Sequence, residues 1–215
     1  MLNLAIFLIS YIIGSIPFSY IIAKLFKGKD VRKLGTKNVG AMNVISVAGL
    51  VPGLIALFFD ILKGALTVYL TEKITGNLAV SLFAGLFTVI GHNWSIFLKF
   101  KGGKGIATAI GVLLLTSPLS VLILYLIIIP IIILITNDSF MSASIGFLIF
   151  PLILWFLEKN IWLVIFGILI AVVIIIRHLE ELKTYFSGRR ELNSIVEKIR
   201  NYILRKNSQK QNTHL

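Results

Sequence analysis

The sequence predicts an all-α integral membrane protein with seven transmembrane helices, its N-terminus outside and its C-terminus in the cytoplasm. Its 215 residues are 57% hydrophobic and only 14% charged, with a mean hydropathy of +0.95, which is more apolar than a soluble domain of this size. Several apolar runs approach the roughly 20 residues that cross a bilayer. The basic residues gather in alternate connections between these runs, and this alternation orients the helices.

Seven apolar segments are interpreted as spans, in chain order: residues 2–23, 50–71, 78–98, 106–117, 119–135, 141–157 and 161–176. The first lacks a basic start and a small-residue cleavage site, so we expect a retained span rather than a signal peptide. No repeat is visible, and the chain is interpreted as one membrane-embedded domain over residues 1–215. The polar residues 206–215 are expected to form a disordered tail.

The fourth and fifth segments are ambiguous from hydropathy alone. Residues 106–135 form either one helix or two short helices broken at Ser117 and Pro118, because proline disrupts a helix interior. As one helix they would be about 45 Å long, against a bilayer core of about 30 Å.

The positions of the basic residues favour two helices. The segments 24–49 and 99–105 and the chain from Arg177 onward are rich in Lys and Arg, whereas the connections between other spans hold one lysine each, Lys73 and Lys159. Seven spans bring all three basic segments to the cytoplasmic side, whereas six would leave the last one opposite the others. The basic residues therefore indicate membrane orientation and not nucleic-acid binding.

The turn "KFKGGKG", which precedes the short fourth helix, is the first candidate site. Gly102, Gly103 and Gly105 would let consecutive N–H groups approach one anion, and the helix N-terminus favours negative charge. Lys104 adds a positive charge, and Lys101 adds a second. We favour a phosphate-binding loop that lines a pocket below the membrane surface. The alternative is a flexible basic turn that only sets topology.

Two further cytoplasmic segments carry candidate residues. In "DVRKLGTKNVGAMNV", residues 30–44, Asn38, Gly40 and Asn43 suit a hydroxylated, phosphorylated ligand, although Gly and Asn are also ordinary turn residues. In "RHLEELK", residues 177–183, His178 follows Arg177, a candidate anion-binding group. A neutral imidazole can accept a proton from an alcohol, but an Arg–His pair that anchors the helix end explains the same pattern.

The remaining polar residues give weaker indications of a functional site. Asp60 and Lys63 lie on one face of the second span and are interpreted as neutralising each other, with an ion pathway as the alternative. His92 is equally consistent with a structural cap, and His214 is given no role. No cysteine and three scattered histidines argue against a metal site.

Five segments together resemble the bacterial acyl-phosphate-dependent glycerol-3-phosphate acyltransferases, the PlsY family. They are "GSIPFSYIIAKL", "GTKNVGAMNV", "DILKG", "GHNWSIFLKFKGGKGIATAIGV" and "IIRHLEELK", in order along nearly the whole chain. The resemblance implies a seven-span enzyme of the bacterial cytoplasmic membrane with its active site facing the cytoplasm. Such an enzyme transfers a fatty acyl group from acyl phosphate to the 1-hydroxyl of glycerol 3-phosphate, giving lysophosphatidic acid and phosphate without a metal or dissociable cofactor. Its partners are these two substrates and membrane lipid.

The resemblance also implies roles for particular positions. Lys104 and its neighbouring glycines match the phosphate-binding loop, and His178 matches the functional histidine. Thr36 stands at the position of a catalytic-site serine. Asn38, Gly40 and Asn43 fall on the second cytoplasmic segment, and Ser144 matches a family serine.

Several positions depart from the family pattern. Lys37 replaces a glycine, Met42 replaces a threonine, Ser46 replaces an arginine that binds substrate, and Glu181 replaces an asparagine. A lost arginine and a gained carboxylate make a pocket less attractive to an anion. Two other classes therefore stay open: a transporter of a small phosphorylated metabolite, and an inactive relative that binds acyl phosphate without turnover.

Overall fold

A computed structural model describes residues 1–188, and the expected tail, 206–215, lies outside these residues, as does His214. The regular structure of these described residues is helical, with no strand, and loops connect the helices, among them residues 28–40 and 99–105. Its α-helices are α1 (Leu2–Ser15), α2 (Phe18–Lys27), α3 (Ala41–Ala48), α4 (Leu50–Thr75), α5 (Leu78–Asn93), α6 (Ile106–Thr116), α7 (Pro118–Ile123), α8 (Ile129–Thr136), α9 (Ser139–Glu158) and α10 (Ile161–Phe186).

Six helical segments of the described chain are long and apolar enough to cross a membrane. They are Leu2–Lys27, Leu50–Thr75, Leu78–Leu98, Pro118–Thr136, Ser139–Glu158 and Ile161–Phe186, while α6 is a shorter apolar helix. All six overlap predicted spans, and α6 overlaps the remaining one. The chain is therefore a multi-pass membrane protein.

The first predicted span is not one continuous helix. α1 ends at Ser15 and α2 begins at Phe18, with Ile16 and Pro17 between them. Proline lacks the N–H that would continue the backbone ladder. The break leaves the carbonyl of Ile16 without a helical partner, and Lys63 Nζ donates to it at 3.0 Å. The predicted span over 2–23 therefore corresponds to the segment Leu2–Lys27, in which the helix is broken at Ile16 and Pro17.

The structure breaks the chain within residues 106–135 into α6 and a second helical segment, Pro118–Thr136. Ser117 leaves the helical conformation (φ −155°, ψ 64°), and Pro118 takes the first position of α7, where a missing N–H has no cost. A π-helical turn, Leu124–Ile128, joins α7 to α8 just before Pro130. Such a turn is a common way for a helix to accommodate an interruption of its hydrogen-bond ladder.

Two hydrophobic clusters hold the helices together. The larger centres on Phe147, Phe150 and Ile170, all completely buried; the smaller joins α2, α3 and α4 around Val44. Many large apolar side chains point outward, as expected for a lipid-facing surface. Most of the residues predicted to bind substrate lie where three regions meet: the turn before α6, the segment between α2 and α3, and the end of α10.

Candidate active site

The GGKG turn is held by backbone hydrogen bonds within the protein. The N–H groups of Gly102 and Gly103 donate to the carbonyls of Asn93 and His92, at 3.1 and 3.0 Å. Arg177 donates to the carbonyls of Gly103 and Gly102, both at 2.9 Å. These two N–H groups therefore satisfy the C-terminal carbonyls of α5, and substrate binding at Gly102 and Gly103 stays a prediction.

Glycine is needed in this turn for close packing. A Cβ at Gly102 would collide with the carbonyl of His92, and one at Gly103 would collide with the His92 ring. Gly105 has φ +80° and is the N-cap of α6, a conformation that glycine adopts without strain. The first-turn N–H groups of α6, at Ile106 and Ala107, lack carbonyl partners within the helix and so remain available to an anion.

Lys104 is 8% exposed and lies between several partners. Its Nζ forms an ion pair with Glu181 and donates to the carbonyl of Arg177 at 3.3 Å. It also lies 4.8 Å from the centre of the Phe140 ring. Lys104, the residue predicted to bind phosphate, is therefore held in place by residues of α9 and α10 that are distant from it in sequence.

Two cavities adjoin at Lys104. The apolar cavity, of about 290 Å³, is lined by Thr36, Asn38, Gly40, Ala41, Met42, Asn43, Leu57, Asp60, His92, Lys104, Gly105, Ile106, Ala107, Ile110, Ser139 and Phe140. The polar cavity, of about 320 Å³, is lined by Arg32, Thr36, Lys37, Asn38, Lys101, Gly102, Lys104, Arg177 and Glu181. Thr36, Asn38 and Lys104 belong to both walls. The structure thus brings together predicted residues from three separate segments.

Asn43 holds the segment between α2 and α3 in shape. Its amide Nδ2 donates to the carbonyls of Val31 at 2.8 Å and Asn38 at 2.9 Å, and its Oδ1 accepts from the N–H of Thr36 at 2.9 Å. It is only 2% exposed. The side chain therefore positions Thr36 and Asn38, and substrate binding by Asn43, which lines the apolar cavity, stays a prediction.

Arg32 lines the polar cavity. From the sequence it indicated only the orientation of the helices in the membrane. Its guanidinium bonds both carboxylate oxygens of Asp30, at 2.8 and 3.0 Å, and lies 4.8 Å from the Tyr20 ring centre. The hydrogen bond from Arg32 lowers the pKa of Asp30 to about 2, so the pair stays ionised throughout the physiological range. Asp30 thereby fixes a cation at the polar cavity.

His178 and Ser144 lie behind the cavities and line neither. His178 is completely buried, and its Nδ1 lies 3.0 Å from Ser144 Oγ. Ser144 Oγ also donates to the carbonyl of Phe140 at 2.7 Å, and the Phe140 and His178 rings meet edge to face at 5.2 Å. The roles predicted for His178, in orienting or deprotonating the attacking hydroxyl, and for Ser144, in binding substrate, stay predictions. Neighbouring Arg177 does line the polar cavity.

Asp60 and Lys63 form the predicted pair, within a larger buried cluster. Lys63 Nζ lies 2.8 Å from Asp60 Oδ1 and 2.9 Å from His92 Nδ1, and Ser19 Oγ donates to Asp60 Oδ2 at 2.8 Å. His92 Nδ1 also lies 3.4 Å from Asp60 Oδ1, so the imidazole nitrogen contacts both members of the charge pair. The cluster supports the GGKG turn from behind, because His92 contacts Gly103.

Comparison with known proteins decides the family. The family description "Glycerol-3-phosphate acyltransferase" matches residues 4–188. The chain belongs to the glycerol-3-phosphate acyltransferase family. Its relatives include "Glycerol-3-phosphate acyltransferase" of Carboxydothermus hydrogenoformans, 39% identical over 84% of this chain and 91% of that protein. "Glycerol-3-phosphate acyltransferase 2" of Dehalococcoides mccartyi is 37% identical over 81% and 82%.

Two solved structures of a glycerol-3-phosphate acyltransferase share this fold. A crystal structure of PlsY in its glycerol 3-phosphate form gives a TM-score of 0.80 at 34% identity, covering 89% of this chain and 96% of that one. The lysophosphatidic acid form gives a TM-score of 0.80 at 32% identity, covering 91% and 98%. Membership of this family favours the enzyme over the transporter.

Three of the four departures from the family pattern, all except Ser46, line the cavities of this glycerol-3-phosphate acyltransferase. Lys37 and Glu181 line the polar cavity, and Met42 lines the apolar one. Lys37 has φ +59°, where glycine is unstrained, so the backbone keeps a conformation suited to the family's glycine. Sequence reasoning identified Glu181 only as a departure, because its contact with Lys104 depends on the packing of α10 against the turn.

Proposed function

We propose that this chain transfers a fatty acyl group from acyl phosphate to the 1-hydroxyl of glycerol 3-phosphate, giving lysophosphatidic acid and inorganic phosphate. The observation that carries the proposal is the pair of adjoining cavities with opposite character. They share Thr36, Asn38 and Lys104. A reaction that joins an apolar chain to a small anion requires this arrangement.

The apolar cavity suits the acyl donor. Leu57, Ile106 and Ile110 offer the chain an apolar wall, and burying each methylene contributes about 0.8 kcal/mol. The donor phosphate would lie at the N-terminus of α6 beside Lys104. Both groups stabilise the negative charge that develops on phosphate as the acyl–oxygen bond breaks.

The polar cavity suits the acceptor, glycerol 3-phosphate. Five basic residues line it, against one carboxylate: Arg32, Lys37, Lys101, Lys104 and Arg177, with Glu181. Cations of this number favour a phosphate ligand and raise its local concentration. Thr36, which faces both cavities, would orient the attacking hydroxyl toward the acyl carbonyl.

His178 and Ser144 take supporting roles in this proposal. Their contact with each other and with Phe140 fixes α9 against α10, and α10 carries both Arg177 and Glu181. Arg177 in turn holds the carbonyls of Gly102 and Gly103, so it shapes the phosphate loop as well as lining the acceptor cavity. Acyl phosphate is an activated anhydride, so positioning can supply much of the acceleration without a metal or cofactor.

The same proposal assigns a membrane orientation: seven crossings in one domain over 1–215, the N-terminus outside, and the active site facing the cytoplasm at the bacterial inner membrane. The contact between Lys104 and Glu181 supports it. Six crossings would leave these residues on opposite sides of the bilayer. The basic segments around Lys29 and Lys101 support the cytoplasmic side.

The proposal is tested by replacing Lys104. Purified protein in lipid is given palmitoyl phosphate and glycerol 3-phosphate, and lysophosphatidic acid and phosphate are both measured. We expect Lys104→Ala to lower kcat by about 100-fold or more, because the leaving phosphate loses its cation. Lys99→Ala removes a lysine from the same turn at a position that lines neither cavity, so this control should retain wild-type activity.

The outcomes separate the remaining alternatives. Wild-type rates in folded Lys104→Ala protein would contradict the phosphate site. Phosphate release without lysophosphatidic acid from the wild-type protein would mean that the donor site is present but the acceptor differs. Neither product from folded wild-type protein would favour an inactive relative.

A further inference from the structure

The acceptor hydroxyl must lose a proton when it attacks the acyl carbonyl, and among the described side chains that line the polar cavity Glu181 carries the carboxylate able to take it. We infer that Glu181 is the general base of this enzyme, accepting the proton of the attacking hydroxyl. This inference rests on the proposed function, because it needs an alcohol in the polar cavity and an acyl phosphate in the apolar one.

The position of Glu181 is the first argument. Its Oε1 forms the ion pair with Lys104, and Lys104 lines both cavities. The carboxylate therefore lies close to the junction where the hydroxyl and the acyl carbonyl would meet. Arg32, Lys37 and Lys101 line only the polar cavity, so they are available for the acceptor's phosphate while its hydroxyl points to the junction.

The chemistry of the other cavity groups is the second argument. The ionisable side chains that line the polar cavity, apart from Glu181, are Arg32, Lys37, Lys101, Lys104 and Arg177. Protonated lysine and arginine have no acceptor lone pair, so none of them can receive a proton. His178 lines neither cavity, and both carboxylate oxygens of Asp60 already contact neighbours, Lys63 and Ser19.

The hydrogen bonding of Glu181 is the third argument. Its second oxygen, Oε2, is buried and has no hydrogen-bond partner among residues 1–188, although the side chain as a whole is 26% exposed. A carboxylate oxygen withdrawn from water without a donor is costly. Rotation of the carboxylate toward the cavity would present it to the acceptor's hydroxyl, which supplies the missing donor.

The proposed step balances with the two substrates alone. The hydroxyl oxygen forms a bond to the acyl carbon while its proton moves to Glu181. The bond between the acyl carbon and the phosphate oxygen breaks, and the electron pair leaves with phosphate. Glu181 then returns the proton to phosphate, which departs as hydrogen phosphate and leaves the carboxylate ready for another turnover. Lys104, paired with Glu181, lies beside both ends of this proton path.

Glu181→Gln tests the inference, because glutamine keeps the shape of glutamate and loses the basic carboxylate. We expect kcat to fall by about 100-fold or more, while KM for glycerol 3-phosphate stays equal or decreases because a negative charge has left the cavity. Glu181→Asp, which keeps a carboxylate, should retain more activity than Glu181→Gln. Binding of palmitoyl phosphate and the melting temperature of each variant show whether the donor site and the fold remain intact.

Glu180 provides a matched control on the same helix. It is exposed and pairs with Lys183 at 3.3 Å, away from both cavities, so Glu180→Gln removes the same charge and should leave kcat unchanged. A kcat in Glu181→Gln equal to or above the wild-type value would overturn the inference and make the carboxylate only a counter-ion of Lys104. A rise in KM at constant kcat would also overturn it. Wild-type protein that forms no ester would overturn the proposed function and this inference together.

Discussion

Within residues 1–188, three residues line both cavities, and Lys104 is the charged one among them. The sequence identified it, and Gly105 beside it, from the pattern of a glycine-flanked lysine before an apolar helix. The same pattern could not predict that the N–H groups of Gly102 and Gly103 bond the end of α5. A motif specifies the residue types that a turn contains, but the competing acceptors are supplied by a neighbouring helix end.

Any side chain at position 103 should reduce activity more than it reduces stability. In Gly103→Ala the new Cβ would push against the His92 ring and displace Lys104 next to it. Because small misplacements at a reacting centre are costly, we expect kcat/KM to fall on the order of 100-fold. The assay is lysophosphatidic acid formation by protein whose melting temperature is also measured.

Gly76→Ala is the matched control for this change. Gly76 ends α4 with φ +59°, and a Cβ there meets nothing within 4 Å. The substitution should cost about 1 kcal/mol of backbone strain and leave kcat/KM unchanged. Normal activity in Gly103→Ala would mean that the turn can move without displacing the substrate phosphate.

Hydropathy and the positions of prolines predicted the bounds of the helices better than they predicted the contacts of side chains. Ser117 and Pro118 indicated the break between α6 and α7, and the structure has it. Pro17 carries the same signal inside the first span, yet the surrounding apolar run concealed it. α3, with eight residues, was not predicted, because Asn43 within it and the glycines and asparagine just before it, Gly35, Asn38 and Gly40, are typical of loops.

The cluster of Asp60, Lys63 and His92 joins α4 to α5 and to the break between α1 and α2, so it should matter for helix packing. Lys63→Met leaves the buried Asp60 carboxylate without its ammonium, and we expect a loss of about 3–5 kcal/mol. The double variant Asp60→Asn with Lys63→Met removes both charges and should recover part of this loss. Thermal unfolding in detergent measures both.

A double variant as unstable as Lys63→Met alone would contradict this argument. It would mean that the two side chains contribute separately, through packing, rather than as a charge pair. Because Asp60 also lines the apolar cavity, unfolding is the informative measurement here and activity is a secondary one.

For the whole molecule, the sequence predicted the order and approximate bounds of the apolar helices, and the alternation of basic connections suggested their orientation. It could not predict that Glu181 would reach Lys104, since contacts between distant segments depend on how helices pack. The fold was therefore more predictable than the site: apolar length is a property of each segment, whereas a cavity wall is assembled from several.

The chain contains no cysteine, so single introduced cysteines can report its orientation. Lys29→Cys and Lys183→Cys should be protected from a membrane-impermeant maleimide added to intact cells, whereas Lys73→Cys and Lys159→Cys should react. Positive charge retained on the cytoplasmic side is the physical reason. Labelling of Lys183→Cys with protection of Lys159→Cys would indicate six crossings instead of seven.

The adjoining cavities also bear on how the reaction ends. Before the transfer, two molecules occupy them, and each can leave independently. Afterwards one molecule has its chain in the apolar cavity and its headgroup among the cations, so its two ends hold each other in place by effective concentration. Inorganic phosphate can diffuse into the cytoplasm, but the lipid must withdraw both ends and enter the bilayer. The architecture that brings the substrates together therefore makes release of the lipid a step that can limit turnover.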